Sequence, residues 1–447
     1  MTPVTESGAP KVAPQQRAPS SLERTLGPAF TFREINVVRW TLLIATALAM
    51  GLRPLYLQLL NGSFQRGFRG DFFYFYSFGR LLNDYPADRL YDFKLHMKIC
   101  DALQPLNAGH WGHSPYPPFL GMLFAPLARL DFLPAYILWL AISFGLYTAG
   151  LSLVTRRFFP SNPLRRALIF CFALCFAPFL SWIMASGQVS ALGFFAIALA
   201  FCMDDLERPV LSGLALSLCM YKPTLLVLLL PMLLVTKRYR TLLGLAAGAA
   251  TLAALPIAFH GIGVWSGYLK TLLTFPQAAR TPWFYVDLGA FASLLPSANS
   301  WEARVVFSGL AAWAGFSLFR VWWRSIGARK PSTRLLWATT LTWTLVLNVY
   351  VPVYDSILVI ISVAATVAAL NDLPDKRLHR MLTALWLLIF AFSWATENIA
   401  QDSGFQIMTV LLALLGILQL SAFPKIDRQT AAFGPRDNVP ALLALPN

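Results

Sequence analysis

Long apolar segments, separated by short polar segments, make up most of this chain. Several of them reach or exceed the roughly 18 apolar residues that a helix needs to cross a bilayer. Together with the interrupted segments described below, they predict about twelve transmembrane helices in an all-α, polytopic membrane bundle. The uninterrupted predicted spans are residues 37–60, 133–154, 167–184, 189–203, 242–262, 304–323, 335–349, 357–370, 382–396 and 405–422.

Two apolar segments do not fit a simple span. The run 119–130 follows a proline cluster, which breaks any helix before it, and its roughly twelve residues are short for a crossing. We expect a re-entrant segment or a half helix there. The run 209–236 is interrupted by Tyr221-Lys222-Pro223 and is bounded by basic residues at both ends. We therefore expect two short helices with Lys222 at the turn, part-way into the membrane.

The polar segments divide the chain into parts. The predicted parts are a disordered cytoplasmic tail (1–36), a transmembrane domain (37–423) and a second cytoplasmic tail (424–447). Inside the transmembrane domain, residues 61–115 form a large first outer loop. Its stretches 71–85 and 92–103 suit helices that lie along the membrane surface.

Composition excludes a soluble protein. The chain is 57% hydrophobic and only 13% charged, whereas soluble domains carry about 25% charged residues. The net charge of +15 is compatible with nucleic-acid binding, but the basic residues lie in short loops between spans. That distribution follows the positive-inside rule and indicates topology, so we expect no nucleic-acid partner. The five cysteines have neither disulfide nor metal-site spacing, and no cofactor is expected.

The stretch Gly70-Asp71-Phe72-Phe73-Tyr74-Phe75-Tyr76 opens the first outer loop. A carboxylate among aromatic side chains at the mouth of a membrane bundle can have a raised pKa and act as a base near neutral pH. Asp71 is therefore a candidate general base, with Tyr74 beside it. The alternative is that Asp71 only caps the helix beginning at Phe72. This stretch alone does not decide between the two.

Further candidates occur where the other outer turns are predicted. Lys222 is a functional candidate, because placing an ionisable group at membrane depth costs roughly 2.5–3.5 kcal/mol and such residues are usually kept for a function. The alternative is a lysine whose side chain extends to the lipid headgroups. Asp355 could instead cap a helix after Pro352, and Gln188 in Ser-Gly-Gln is explained equally well by turn chemistry. The remaining substrate-binding candidates are Tyr116, Arg280 and Tyr354. The sequence has neither an Asp-x-Asp pair nor a histidine cluster with enough ligands, so we expect no metal site.

These segments together resemble glycosyltransferase family 87. The motifs are GDFFYFY, SPYPPFLGMLFAPLARL, SGQVSALGF, LSLCMYKPTLLVLLLP and YVPVYDSILV, in order between about residues 38 and 370. The family has a GT-C fold and includes polyprenyl-phosphate-mannose-dependent mannosyltransferases. The chain differs from the mannolipid members at Tyr354-Asp355, where they carry a motif with tryptophan and histidine.

The resemblance implies a hexosyltransferase of the bacterial inner membrane. It would transfer a sugar, with mannose as the first expectation, from polyprenyl phosphate to a lipid or glycan acceptor on the outer face. Transfer would invert the anomeric centre, and Asp71 corresponds to the family's base. Such a reaction needs a base for the weakly acidic acceptor hydroxyl and a cation near the leaving phosphate. Lys222 is preferred over Arg280 for the cation, because its apolar surroundings lower the local dielectric.

Two other classes of protein remain open from the residues alone. A transporter or flippase of the same lipid fits about twelve spans, although transporters usually show internal repeats, which we do not find here. A non-catalytic envelope scaffold is the other alternative, and in it Asp71 would be dispensable.

Overall fold

The structure is a computed structural model that describes residues 70–103, 116–274, 281–295, 300–326, 330–371, 373 and 375–432. Within these ranges the chain forms α-helices and short 3₁₀- and π-helical segments. One isolated antiparallel bridge joins Tyr285 to Pro352. The α-helices are α1 Phe72–Asp84, α2 Phe93–Leu103, α3 Pro118–Phe124, α4 Phe132–Phe158, α5 Pro163–Leu174, α6 Ser190–Asp205, α7 Pro209–Ser217, α8 Leu229–Val235, α9 Tyr239–His260, α10 Gly263–Thr274, α11 Leu288–Leu294, α12 Trp301–Arg324, α13 Lys330–Val346, α14 Val359–Ala369, α15 Lys376–Ser393, α16 Thr396–Ser403 and α17 Ile407–Ala432.

Irregular helical segments connect several of these elements. They are 3₁₀ segments at Ala87–Arg89, Leu127–Arg129, Leu218–Tyr221, Pro223–Leu226, Pro282–Phe284 and Val353–Leu358, and a π-helix at Pro178–Met184. Proline begins three of these seven segments and directly precedes three others, where it can neither donate a hydrogen bond nor continue a preceding helix. Residues of the candidate site lie just after the π-helix, between the two 3₁₀ segments on either side of Lys222, and within Val353–Leu358.

The all-helical, membrane-type fold is confirmed. Four described helices are long and apolar enough to cross a bilayer: Phe132–Phe158, Tyr239–His260, Trp301–Arg324 and Ile407–Ile426. The number becomes six if two bent pairs each count as one span, namely Arg165–Leu174 with Pro178–Met184 (54°) and Lys376–Ser393 with Thr396–Ser403 (72°). The total of about twelve stays a prediction. The first predicted span, 37–60, and most of both predicted tails lie outside the described residues.

The predicted break at Lys222 is confirmed, whereas its depth in the membrane and a re-entrant course for 119–130 stay predictions. The run 209–236 forms two short apolar helical pieces, Pro209–Tyr221 and Pro223–Val235, broken at Lys222. The run 119–130 contains the seven-residue α3, which is too short to span a membrane. The stretches 71–85 and 92–103 contain helices α1 and α2, and their position along the membrane surface of an outer loop stays a prediction.

Small residues let α7 and α9 pack closely. A Cβ atom on Gly213 would collide with the carbonyl oxygen of Thr241, and one on Gly244 with that of Val210. Helices in membranes associate through such close backbone approach, since lipid removes most of the hydrophobic driving force between them. The contact holds the first half of the broken 209–236 segment, and with it the approach to Lys222.

Candidate active site

Asp71 lies immediately before α1, at the rim of an aromatic core. The Phe72 amide donates to the Ser186 carbonyl oxygen at 3.0 Å, which ties the start of α1 to the turn after the π-helix. The Asp71 side chain makes no capping hydrogen bond to α1. It accepts a hydrogen bond from the Gln188 side-chain amide. The capping alternative therefore does not describe the contacts of this carboxylate.

The turn that presents Gln188 is fastened by α4. The Tyr136 hydroxyl donates to the Ala185 carbonyl at 3.0 Å, and the Trp139 indole donates to the Gly187 carbonyl at 2.8 Å. Gly187 has φ +71°, and a Cβ there would lie 2.8 Å from the Cβ of Phe72. Both the backbone conformation and the contact require glycine at this position. Gln188 itself is 1% exposed, so its orientation toward Asp71 is set by packing.

Lys222 and Asp355 form a buried ion pair next to this turn. Their side chains are 8% and 1% exposed, and the lysine Nζ donates to the Asp355 carboxylate. Ser190 donates to the other carboxylate oxygen of Asp355 at 2.8 Å. The five-residue stretch from Ser186 to Ser190 thus contacts both carboxylates, through Gln188 on one side and Ser190 on the other. In this pairing Lys222 is buried against Asp355, and the hydrogen bonds of the Asp355 carboxylate go to Lys222 and Ser190 and not to a helix terminus.

Aromatic rings enclose the lysine. Its Nζ lies 4.9 Å from the ring centroids of both Tyr350 and Tyr354, within the range of cation–π attraction. The Tyr116 side chain hydrogen-bonds to Tyr354, and its hydroxyl interacts electrostatically with both Asp71 and Asp355. Tyr116 therefore lies near both carboxylates and belongs to the same cluster.

A second connection fixes the segment that carries these tyrosines. Asp287 is fully buried; it caps α11 through the Ala290 amide at 2.9 Å, and it accepts from the Val351 amide at 3.3 Å. The Val286 amide donates to the Val351 carbonyl at 2.9 Å. These contacts hold residues 350–355 against the segment 281–295, which places Tyr350 and Asp355 next to Lys222.

Burial changes the proton affinity of the candidate base. Removal from water raises the pKa of Asp71 from 3.8 to about 6, and the positive charge of Lys222 lowers it by a smaller amount. A carboxylate with that pKa is largely ionised at pH 7 and is a stronger base than a solvated aspartate. The cluster then holds two carboxylates and one ammonium group, and Lys222 is the cation that the two acids share.

The structure brings together six of the eight residues that the sequence singles out: Asp71, Tyr116, Gln188, Lys222, Tyr354 and Asp355. Tyr74 lies on α1, and its ring packs edge-on against His96 with 6.1 Å between centroids. Arg280 lies outside the described residues. The sequence reasoning missed Ser190 as a partner of Asp355. Its position two residues after Gln188 was the available signal, but nothing local connects it to a carboxylate 165 residues away.

Within the described ranges, no group of three or more histidine, cysteine, aspartate or glutamate side chains could hold a metal ion. Lys222 and Asp355 form an ion pair, and Asp71 accepts its hydrogen bond from the neutral Gln188 amide. What this arrangement can do chemically is accept a proton at Asp71 and present positive charge at Lys222, within an aromatic enclosure.

Comparison with known proteins agrees with the geometry. The sequence model described as glycosyltransferase family 87 matches residues 115–352, which is more than half of the chain. The match includes Tyr116, Gln188 and Lys222, whereas Asp71 precedes it and Asp355 follows it. No curated protein and no solved structure matches the chain.

Proposed function

Because the chain belongs to glycosyltransferase family 87, we propose that it transfers a hexose from a polyprenyl-phosphate-linked donor to the hydroxyl of a lipid or glycan acceptor, with Asp71 as the general base. The membrane glycosyltransferase activity follows from the family. The donor, the base, the inversion and the location on the outer face of a bacterial inner membrane are our proposal, with mannose as the first sugar to test.

The observation that carries the proposal is the position of Asp71. Its carboxylate is held by Gln188 and has a pKa raised to about 6. An acceptor hydroxyl is a poor nucleophile, and a base positioned on it contributes typically 10²–10⁴-fold in rate. In the proposed step the acceptor oxygen bonds to the anomeric carbon, its proton passes to Asp71, and the bond from that carbon to the phosphate oxygen breaks.

The leaving group is the second requirement. The departing polyprenyl phosphate takes the electron pair of the broken bond, and a nearby cation stabilises that developing charge. We assign this role to Lys222, with Arg280 as the other candidate. An ammonium group has three donors and Asp355 accepts one of them, so two can reach a phosphate. Asp355 and Ser190 then hold Lys222 in place between turnovers.

The flippase and scaffold alternatives have no comparable support. A flippase moves a lipid without proton transfer and does not need a carboxylate with a raised pKa. A scaffold does not need two carboxylates and a lysine placed together in an aromatic enclosure, where every unpaired charge would be costly.

The donor class is tested with purified protein reconstituted into vesicles. We expect radiolabelled hexose to pass from polyprenyl phosphate to endogenous lipid acceptors, and not from a nucleotide-linked hexose. Mannose, glucose and galactose on the same polyprenyl phosphate identify the sugar. Transfer from the nucleotide sugar alone would overturn the donor assignment and leave the family's general activity intact.

A further inference from the structure

A polar cavity lies close to the Lys222–Asp355 pair. It is lined by Trp182, whose ring neighbours the Tyr354 ring that contacts the lysine. It has a volume of about 180 Å³, enough for several water-sized groups, and it opens between the π-helix, the end of α15 and the start of α16. The side chains on its polar and aromatic wall are Ser181, Trp182, Ser393, Trp394, Glu397 and Asn398. Nothing in the proposed proton transfer uses these residues.

The cavity is joined to the candidate site by two short connections. On one side, the Gln188 amide donates to the Trp182 carbonyl at 3.1 Å, and the Gln188 side chain contacts Asp71. On the other side, Val353 lines the cavity, and the neighbouring Tyr354 ring lies 6.2 Å from Trp182. A ligand in the cavity would therefore contact Trp182 and Val353, and each of these is one residue contact away from a member of the candidate site.

The wall of the cavity has the donors and acceptors that a sugar requires. The Trp182 indole N–H donates to a Glu397 carboxylate oxygen at 2.7 Å, which fixes both side chains. Among the described residues, no basic side chain pairs with Glu397, and the buried indole N–H of Trp394 has no acceptor. A carboxylate accepts hydrogen bonds from hydroxyl groups, an indole N–H donates to them, and indole faces pack on the C–H face of a pyranose ring.

The same chemistry argues against other ligands. A phosphate is repelled by Glu397, and none of the described residues on the wall is basic. A prenyl chain would remove the Glu397 carboxylate from water and leave the Trp394 N–H without an acceptor, and both are costly in an apolar environment. The remaining class is a neutral, hydroxyl-rich group. The π-helix that shapes one wall is a rare form that is frequent at functional sites.

We propose that the cavity formed by Trp182, Trp394 and Glu397 binds a sugar ring of the acceptor and directs its free hydroxyl toward Asp71. This inference rests on the proposed function. It names the acceptor as a glycoside and not a bare lipid alcohol, and it makes Glu397 a specificity-determining residue.

The test separates acceptor binding from donor binding. Glu397→Gln keeps the shape of the side chain and removes its negative charge, whereas Trp182→Phe keeps an aromatic ring and removes the N–H that holds Glu397. With octyl mannoside, octyl glucoside and octyl galactoside as soluble acceptors, we expect the KM for the acceptor to rise at least tenfold and the KM for the lipid-linked donor to stay within twofold. Tenfold is the scale of losing one hydrogen bond to a charged group. Glu302→Gln and Trp301→Phe, both at exposed positions at the start of α12, are the matched controls.

A binding measurement does not depend on turnover. The three octyl glycosides, each with a diazirine on the alkyl chain, are photolysed with the whole protein in vesicles, and the labelled peptides are mapped by mass spectrometry. We expect at least one of them to label residues 177–184 or 393–398, competed by the unlabelled glycoside and weakened in Glu397→Gln. Labelling elsewhere only, or none at all, would overturn the sugar subsite.

The outcomes also distinguish the two proposals. A wild-type protein that is labelled in the cavity and transfers nothing from any lipid-linked donor retains the subsite and loses the proposed function. A protein that transfers sugar, with an unchanged acceptor KM in both variants, retains the function and loses the subsite. A rise confined to the donor KM would reassign the cavity to the donor sugar and overturn the inference.

Discussion

Asp71→Asn is the most direct test of the proposed base. Asparagine keeps the size of the side chain, and its carbonyl oxygen can accept the hydrogen bond that Gln188 donates to Asp71. The change therefore preserves the contact and removes only the ability to take a proton. A positioned base contributes 10²–10⁴-fold, so transfer should slow by at least a hundredfold, or about 3–5 kcal/mol in activation free energy.

Folding should not suffer from this substitution. The Asp71 side chain makes no capping hydrogen bond, so no cap is lost. Its pKa is raised in the folded protein, so the folded state binds more protons than the unfolded state between about pH 4 and pH 6. The ionised carboxylate is thus unfavourable for folding at pH 7. We expect the variant to unfold at the same temperature as the wild type or slightly above it.

The assay is transfer of radiolabelled hexose from polyprenyl phosphate to membrane acceptors, run beside thermal unfolding of the purified protein. Asp84→Asn is the matched control, since it is an exposed aspartate at the other end of α1. Asp71→Glu should also be impaired, because it moves the carboxylate by about one bond length and attack geometry is demanding. Near-wild-type transfer by the folded Asn variant would refute the reasoning and leave Asp355 as the next carboxylate to test.

Three other predictions follow from the described geometry. Wild-type transfer should rise with pH through about 6, as Asp71 loses its proton, and a residual rate in Asp71→Asn should lack that step; an unchanged profile in the variant would assign the titration to another group. Lys222→Met should lower the stability by about 3–5 kcal/mol in thermal unfolding, because it strands Asp355, while Lys222→Met with Asp355→Leu regains stability and stays inactive. An active double variant would remove both residues from catalysis. Ala102→Cys, exposed on α2, should react with an impermeant maleimide in intact spheroplasts, whereas Arg240→Cys should react only after permeabilisation; the reverse result would invert the topology.

The topology test cannot use the native cysteine of the predicted first outer loop. Cys100 is the obvious thiol in the sequence, but it is 1% exposed, and its Sγ donates to the Ser77 hydroxyl at 3.3 Å. Burial also raises its pKa to about 12, so little reactive thiolate forms. Cys100 would stay unlabelled on either side of the membrane, which is why a cysteine at position 102 is needed.

Local features of the sequence were sufficient for much of this structure. Apolar length predicts membrane helices because the bilayer requires it, and Lys222-Pro223 predicts a break because proline cannot continue the helix. Asp71, Gln188, Lys222 and Asp355 attract attention singly, since polar groups are expensive in apolar surroundings. These inferences need no knowledge of what lies elsewhere in the chain.

Only the tertiary structure decided which of these groups meet. Lys222 pairs with a carboxylate 133 residues away, and Trp182 meets Glu397 across 215 residues. The direction of each side chain depends on breaks and on packing, such as the turn at Gly187 that Tyr136 and Trp139 fasten. Whether Asp71 caps a helix or faces Gln188 depends on a residue 117 positions further along the chain. Distant residues decide the outcome, because a buried polar group is stable only where the fold places a hydrogen-bond partner next to it.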